Sequence, residues 1–454
     1  MLIDGQLVGA ADGAEYDNLS PATGRVLGAA AAAGVVDMER AIAAARRAFD
    51  ETTWSTDRAL RRRCLEQLQS AIEGEQDDLR NELIAEVGCP VVTTKDAQLD
   101  WPLAQSLRYP AALIDHFEWE RILDGGGLFG DRNVRTVVQE PVGVVAAICP
   151  SNYPMEVTLN KLGPALAAGN TVVLKPDPNT PWNATRLGRL IAELTDFPAG
   201  VINVVTTPSN EVAELLATDP RVDMVSFTGS TAVGKLLMRR GADTMKRTFL
   251  ELGGKSALIV LDDADPGKII YGALASVAHA GQACAATSRV LVHRSLFDDA
   301  VTSVTAGFTM LPIGDPVLED TFVGPVISDA QKQRILTHLN RARADGAEFT
   351  TGGGTPRNLP AHLSGGNYVE PTVIVGVDNS SAIAQEEIFG PVAILIPFDD
   401  DDHAVRIAND SAFGLAGAVM SGSGERGLNV ARRIRTGSIG VNGGMFYGAD
   451  APFG

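Results

Sequence analysis

The chain has 454 residues, with 38 Lys and Arg against 56 Asp and Glu, giving a formal charge of −18. That length provides for about two to four domains, and a 45% hydrophobic content is enough to fill them with real cores. An acid excess of this size argues against nucleic-acid or anionic-membrane partners, which need basic faces, and leaves room only for a local basic pocket. Four cysteines, Cys64, Cys89, Cys149 and Cys284, lack close pairing, so neither a disulfide framework nor a metal-ligand set is expected and a reducing compartment fits best. The opening MLIDGQLVGAADG lacks a basic n-region and an apolar h-region. It therefore reads as cytoplasmic, with the sequons at Asn18, Asn183 and Asn379 unused.

After a short entry strand, residues up to about 120 are expected to be mainly helical, with amphipathic runs at 38–50 and 58–73 capped by Asp37 and Asp57. Residues 124–141 change character: Gly125, Gly126 and Gly127 open the segment and NVRTVVQE follows, which reads as a projecting strand or hairpin. From Val142 the apolar runs VGVVAAIC, TVVLKP, VINVVT, VDMVSFTG and SALIVL alternate with helical stretches at 159–168 and 185–194. Fully apolar strands between helices imply a parallel sheet covered on both faces, an architecture that binds nucleotides at its strand ends. Residues 269–288 hold no Asp, Glu, Lys or Arg, yet small residues with His279 and Gln282 make a buried helix the better reading than a membrane span. A second α/β series follows, with strands at SRVLVH, TVIVGV and VAILIPF and helices at 329–342 and 402–407; the acidic run 399–402 reads as a solvated cap of the latter. The expected fold is α/β: two doubly wound, Rossmann-like lobes with a cleft between them.

Gly125, Gly127 and Gly130 satisfy G-x-G-x-x-G, but no apolar strand precedes them, so a flexible loop is the better reading. Gly229 to Lys235 satisfies G-x-x-x-x-G-K after the strand MVSFT; Leu236 has no hydroxyl for Mg²⁺, which removes the case for phosphoryl transfer from ATP. What remains is either a tight strand-to-helix turn or a helix N-terminus offered to a dinucleotide pyrophosphate. Cys284 lies in HAGQACAATSR, where the alanines on each side leave the thiol accessible. It is either a nucleophile for a carbonyl or a small buried hydrophobe, the better reading for the other three cysteines. Glu251 in FLELGGKS is either a base with a raised pKa beside glycines that let a ligand approach, or an ordinary strand-end acid. Asn152, held between Pro150 and Pro154, is either an oxyanion donor or an Asx-turn cap.

Together these residues resemble the NAD(P)-dependent aldehyde dehydrogenase superfamily, in its hydrolytic, non-acylating type. The resemblance is carried by P-S-N-Y-P at 150–154, K-P-D-P at 175–178, F-T-G-S at 227–230, E-L-G-G-K at 251–255, G-Q-A-C at 281–284, E-E-I-F-G-P at 386–391 and N-G-G at 442–444. It implies that Cys284 attacks the aldehyde carbon, that Asn152 and the Cys284 backbone N–H hold the oxyanion, and that Glu251 activates the water that hydrolyses the thioester. Lys161 is similar to a family lysine that moves a proton away from the glutamate. The resemblance assigns Lys175 and Pro178 to the adenosine side, Gly229, Ser230 and Val233 to the pyrophosphate turn, and Leu252, Gly253, Glu387 and Phe389 to the nicotinamide side. The implied cofactor is NAD, with NADP the alternative, because Pro178 and not Glu stands three residues after Lys175 and because Thr207 and Ser209 replace glycines usual after N-V-V. Ser151 replaces a frequent Trp beside Asn152.

By the same resemblance the substrate tunnel comprises Tyr153, Val157, Asn160, Ala283, Ala285, Tyr447 and Phe453. With Asn160 in place of a large aromatic and alanines beside the nucleophile, it suits a medium or bulky aliphatic or aromatic aldehyde. It does not suit a charged semialdehyde, for no Arg or Lys stands at those positions to pair a distal carboxylate. The implied division is 1–123 with 142–252 for the cofactor, 124–141 as an oligomerisation arm, 253–440 for catalysis and 441–454 as a segment returning to the tunnel. A homodimer or homotetramer is implied, weakened by the lack of the final strand with which relatives continue beyond P-F-G. The alternatives are a CoA-acylating enzyme, against which Glu251 argues, and an inactive structural member of the family, against which Cys284, Glu251 and Asn152 argue.

Overall fold

The computed structural model describes residues 1–123, 125, 133–443 and 447–454. Two seven-stranded sheets organise the chain. In the first, the parallel strands Arg247–Glu251, Met224–Thr228, Val144–Ile148, Thr171–Lys175 and Ile202–Val204 lie side by side in that order, followed by the antiparallel pair Leu2–Ile3 and Gln6–Leu7. Val144–Ile148 and Thr171–Lys175 are buried at every position, as strands covered on both faces must be. One face packs against the helices Arg58–Gly74, Pro154–Ala167 and Trp182–Leu194, and the other against Val35–Glu51, Asn210–Thr218 and Thr231–Gly241.

The second sheet runs Glu348–Thr351, Thr372–Val375, Val392–Phe398, Arg289–His293, Ala257–Val260, Ala416–Met420 and Ser438–Val441, parallel except at its first pair. Strand Arg247–Glu251 of the first sheet leads through Leu252 to Ser256 straight into Ala257–Val260 of the second. The two-lobed α/β reading is therefore correct, and each apolar run singled out in the sequence contains one of these strands.

Three expectations need correction. The first long helix is Val35–Glu51, capped by Gly34; Asp37 sits in its first turn, where its carboxylate accepts from the backbone N–H of Gly34 at 3.1 Å and of Ala11 at 3.1 Å. Asp57 does cap the second helix, accepting from Leu60 N at 2.9 Å. Residues 269–288 are not one helix. Ile269–Ala273 is followed by 3₁₀ turns at Leu274–Ser276 and Ala278–Gly281, and His279, Ala280 and Gly281 take φ of 50°, 52° and 71°. Small residues supply little side-chain packing to sustain a helix there, and left-handed backbone ends it. The projecting hairpin begins earlier than the glycines suggest: Glu120–Leu123 pairs antiparallel with Arg135–Val138 and both strands are largely exposed. Gly127 and Gly130 of the glycine pattern, and Gly444 of N-G-G, lie outside the described residues.

The second sheet is pinned by one buried cation. The Arg289 guanidinium donates to Lys255 O at 2.9 Å, Asn379 Oδ1 at 2.8 Å, Ile407 O at 3.0 Å and Ala408 O at 3.0 Å, joining the start of a central strand to three other segments. Replacing Arg289 by Met leaves Lys255 O, Asn379 Oδ1 and Ala408 O without this donor, while Ile407 O keeps Asp410 N at 3.2 Å; each lost partner costs about 1–3 kcal/mol when no water replaces it. The Arg289→Met protein is expected to lose about 3–5 kcal/mol, read as a fall of several degrees in the thermal midpoint by scanning fluorimetry. An unchanged midpoint would contradict this role.

Candidate active site

Strand order sets the site's position. From Val144–Ile148 the chain adds strands on one side through Ile202–Val204, then reverses to place Met224–Thr228 on the other side. A crevice opens beyond the carboxyl ends of strands where such an order reverses. The loops leaving those two strands carry Asn152 and Gly229 with Ser230. Glu251 ends the edge strand beside them. The second sheet presents its opposite edge to the crevice: Cys284 precedes Arg289–His293 and Glu387 precedes Val392–Phe398.

Backbone strain shapes the cysteine loop. After three successive left-handed residues, the chain carries Gln282 to Cys284 against the asparagine loop. The Asn152 side-chain amide donates to Gln282 O at 2.7 Å. Gln98 Nε2 donates to Asn152 O at 2.7 Å and lies 3.3 Å from His279 Nε2, while the Tyr153 and His279 rings meet edge to face with centroids 5.1 Å apart. Gln282 Oε1 in turn accepts from Ile327 N at 2.8 Å. Gly281 and Gly254 are required by close approach: a Cβ would stand 2.1 Å from Gly390 O at the first and 2.4 Å from Cys284 O at the second.

A cavity of about 700 Å³ receives these groups. Of the residues expected at the site, Asn152, Tyr153, Val157, Asn160, Lys161, Gly229, Ser230, Glu251, Leu252, Gly253, Cys284, Glu387, Phe389, Tyr447 and Phe453 line it. Lys175, Pro178, Val233, Ala283 and Ala285 do not; Ala283 instead faces a small void behind the cysteine loop with Ile388 and Gly390. Lys175 ends its strand with a buried side chain, its amine pKa lowered by burial against the opposing pull of Asp177. Ser230 caps Thr231–Gly241, accepting from Val233 N at 3.4 Å. Glu387 folds over Gly253 and accepts from Gly254 N at 3.1 Å.

The electrostatics are those of a desolvated acidic chamber. Burial, with Glu156, Glu251 and Glu387 nearby, pushes the Cys284 thiol up to about 12. Burial also raises the Glu251 carboxyl, against the lowering field of Lys161. Lys161 Nζ donates to Ser226 Oγ at 3.0 Å and lies 5.8 Å from the Phe249 ring centroid; burial lowers its pKa, with Cys149 and Glu251 opposing. Cys64, Cys89 and Cys149 are buried, while Cys284 is the partly accessible thiol.

Three residues of the site escaped the sequence reading. Gln98 and His279 brace the asparagine and cysteine loops, and Glu156 projects into the cavity from helix Pro154–Ala167. The available signal for Glu156 was helical spacing: it lies three residues after Tyr153 and four before Asn160, on the stripe that those two define. Among the described residues no cluster of three or more His, Cys, Asp or Glu could hold a metal ion, and no helix is long and apolar enough to cross a membrane.

Known proteins with this arrangement share a family. The family described as "Aldehyde dehydrogenase family" matches residues 8–454. A 3-succinoylsemialdehyde-pyridine dehydrogenase of a Pseudomonas species is 38% identical over 100% of this chain and 92% of its own length. The putative aldehyde dehydrogenase DhaS of Bacillus subtilis is 37% identical over 100% of this chain and 90% of its own. The crystal structure of Staphylococcus aureus betaine aldehyde dehydrogenase in complex with NAD+ superposes with a TM-score of 0.96 at 34% identity, covering 100% of this chain and 89% of that one. With a family match over residues 8–454 and relatives 37% and 38% identical across the whole of this chain, the chain belongs to the aldehyde dehydrogenase family.

Proposed function

We propose that this chain oxidises an aldehyde to its carboxylic acid with a nicotinamide dinucleotide, Cys284 acting as nucleophile, Asn152 as oxyanion donor and Glu251 as base. The observation that carries the reading is the convergence of these three side chains on one cavity, from separate loops of two sheets. Residues 1–123 and 142–252 form the cofactor domain in this reading, 253–440 the catalytic domain and 441–454 a segment that brings Tyr447 and Phe453 to the tunnel.

The residues present fit the dinucleotide. Thr228, Gly229 and Ser230 open onto the cavity at a helix N-terminus, whose first N–H groups suit a pyrophosphate. The buried amine of Lys175 suits ribose hydroxyls, with Pro178 and Val233 flanking the adenosine end; Leu252, Gly253, Glu387 and Phe389 border the nicotinamide end. NAD+ is the cofactor bound by the S. aureus relative, and NADP+ remains compatible because Pro178 offers no carboxylate against a 2′-phosphate. When bound, the cofactor accepts the hydride that leaves the substrate carbon.

At neutral pH the Cys284 thiol is protonated, so attack requires a base, and Glu251 reaches the same cavity with a carboxyl raised by burial. Deprotonated Cys284 adds to the aldehyde carbon, and the oxygen takes the negative charge. One Asn152 amide hydrogen is used by Gln282 O; the other is available to that oxygen, together with the Cys284 backbone N–H. Loss of hydride leaves a thioester, which Glu251 hydrolyses by taking a proton from water, releasing the acid and returning the thiol. Lys161, buried and hydrogen-bonded to Ser226, lies where it can pass that proton onward. Glu251 favours hydrolysis over transfer to CoA. The exposed hairpin, with Ile122, Val134 and Val138 facing solvent, supports assembly into a homodimer or homotetramer through this arm, and the lack of paired cysteines supports a cytoplasmic setting.

The test is NAD(P)H formation over a panel of aldehydes with both cofactors, with the product analysed for free acid in the presence of added CoA. Cys284→Ala is expected to abolish turnover, and near-normal turnover would refute the assignment. Glu251→Gln is expected to slow steady-state turnover by about 10²–10⁴-fold, the range of general-base catalysis, because both thiol deprotonation and thioester hydrolysis lose their base. Because burial raises the Glu251 pKa, its protonated fraction persists above the ordinary carboxylate range of about 4.3. The kcat/KM of the native protein should therefore rise with pH along a limb displaced upward from that value, and Glu251→Gln should remove the limb.

A further inference from the structure

We propose that Glu156 makes the tunnel selective for aldehydes that carry a cationic ammonium group, which pairs with its carboxylate while the aldehyde carbon reaches Cys284. This rests on the catalytic reading above and adds a substrate class to it.

Four observations lead there. Glu156 faces the cavity from helix Pro154–Ala167, which also presents Val157, Asn160 and Lys161 to it. Asn160 is already engaged by the Tyr447 hydroxyl. Glu156, half-buried on the cavity wall, makes no hydrogen bond or salt bridge with any described residue. Every titratable group that faces it is acidic or neutral: Asp96 from the helical segment beyond, Tyr153 at the cap of its own helix, Cys284 from the opposing loop and Tyr447 from the returning segment. The two cations on the cavity wall are committed elsewhere, Lys161 to Ser226 Oγ at 3.0 Å and Arg334 to Glu387 O at 3.1 Å.

A carboxylate taken from water without a partner is strongly disfavoured, and here burial with the field of Asp96 pushes Glu156 up to about 8. An entering ammonium supplies the missing partner and restores the ionised form. A substrate carboxylate would meet a second acid and be repelled. Glu156 stands in the first turn of the helix that follows the Asn152 loop, on the wall of the cavity that Cys284 also lines, which favours a cation separated from the aldehyde carbon by a short chain. Pairing also cancels one of the three acidic fields that raise the Cys284 thiol, so the correct substrate eases deprotonation of its own nucleophile.

The decisive comparison uses two aldehydes of the same shape, 4-(trimethylammonio)butanal and 5,5-dimethylhexanal, with succinic semialdehyde as the acidic counterpart. For the native protein at pH 8 the ratio of kcat/KM for the cationic over the neutral aldehyde is expected to be at least tenfold, carried by KM, with the acidic aldehyde poorest. Glu156→Gln should lower that ratio at least tenfold. Native preference for the neutral or acidic aldehyde overturns the proposal. So does an unchanged ratio in Glu156→Gln, including the case where both substrates slow equally. A second measurement needs no turnover: 4-(trimethylammonio)butanol should retard alkylation of Cys284 by iodoacetamide in the native protein more than 5,5-dimethylhexanol does, and Glu156→Gln should erase the difference. If no aldehyde at all is oxidised the catalytic reading fails, while alkylation still decides whether a cation binds at Glu156.

Discussion

The hydrogen bond from the Asn152 amide to Gln282 O, 2.7 Å long, ties the loop leaving a central strand of one sheet to the loop entering a central strand of the other. The nucleophile and its clamp are thus held together directly, not merely as neighbours in a shared cleft. That geometry depends on the turn at His279, Ala280 and Gly281. Two of these residues have side chains, and left-handed backbone costs such residues on the order of 1–3 kcal/mol each. The surroundings over-determine the turn: Gly390 closes on Gly281, Gln98 bridges His279 to Asn152, and Tyr153 packs on the His279 ring. Burial holds the His279 ring neutral, its pKa pushed down to about 4, so this brace carries no charge into the site.

Topology explains why the parts come from such distant stretches of chain. A parallel sheet delivers its loops to one edge, and the reversal of strand order beside Val144–Ile148 opens a crevice at that edge. The direct passage from Glu251 to Ala257 leaves five residues to cross between sheets, and two of them are glycines doing separate tasks. Gly253 admits the Glu387 carboxyl, and Gly254 admits the Cys284 carbonyl. A side chain at Gly253 would displace Glu387, and one at Gly254 would displace the cysteine loop that the Asn152 bond holds.

Much of this was legible in the sequence, for physical reasons that differ by residue. Apolar runs such as VGVVAAIC could only be doubly covered strands, and Cys284, Glu251 and Asn152 stood out because each sits among small or rigid neighbours that serve no ordinary packing purpose. The segment 269–288 was misread because composition reports burial and not backbone conformation: an uncharged alanine-rich run looks helical, while left-handed φ at His279 and Ala280 leaves no compositional trace. Asp37 was misplaced by three residues, since an acid at the third helical position, which accepts from the cap N–H, leaves the same compositional mark as one at the cap itself. Glu156 was invisible for a third reason. An acid near a helix N-terminus is ordinarily a solvated partner of the dipole, and only the fold reveals that this one points inward.

An acidic chamber is a curious setting for a nucleophile, and its consequence follows from charge alone. Three carboxyl groups and a low dielectric keep Cys284 as the neutral thiol. Thiolates, not thiols, are the species that oxidise and alkylate, so the one accessible cysteine of the chain is shielded between turnovers by the same field that makes its deprotonation hard. Lysine is the counterweight: the field of Lys161 lowers the Glu251 carboxyl and that of Glu251 raises the Lys161 amine, each opposing the effect of burial. Reactivity in this site is therefore conditional. It requires something to enter that alters the field, and Glu156, a cavity-lining acid with no hydrogen-bond or salt-bridge partner among the described residues, is placed to respond.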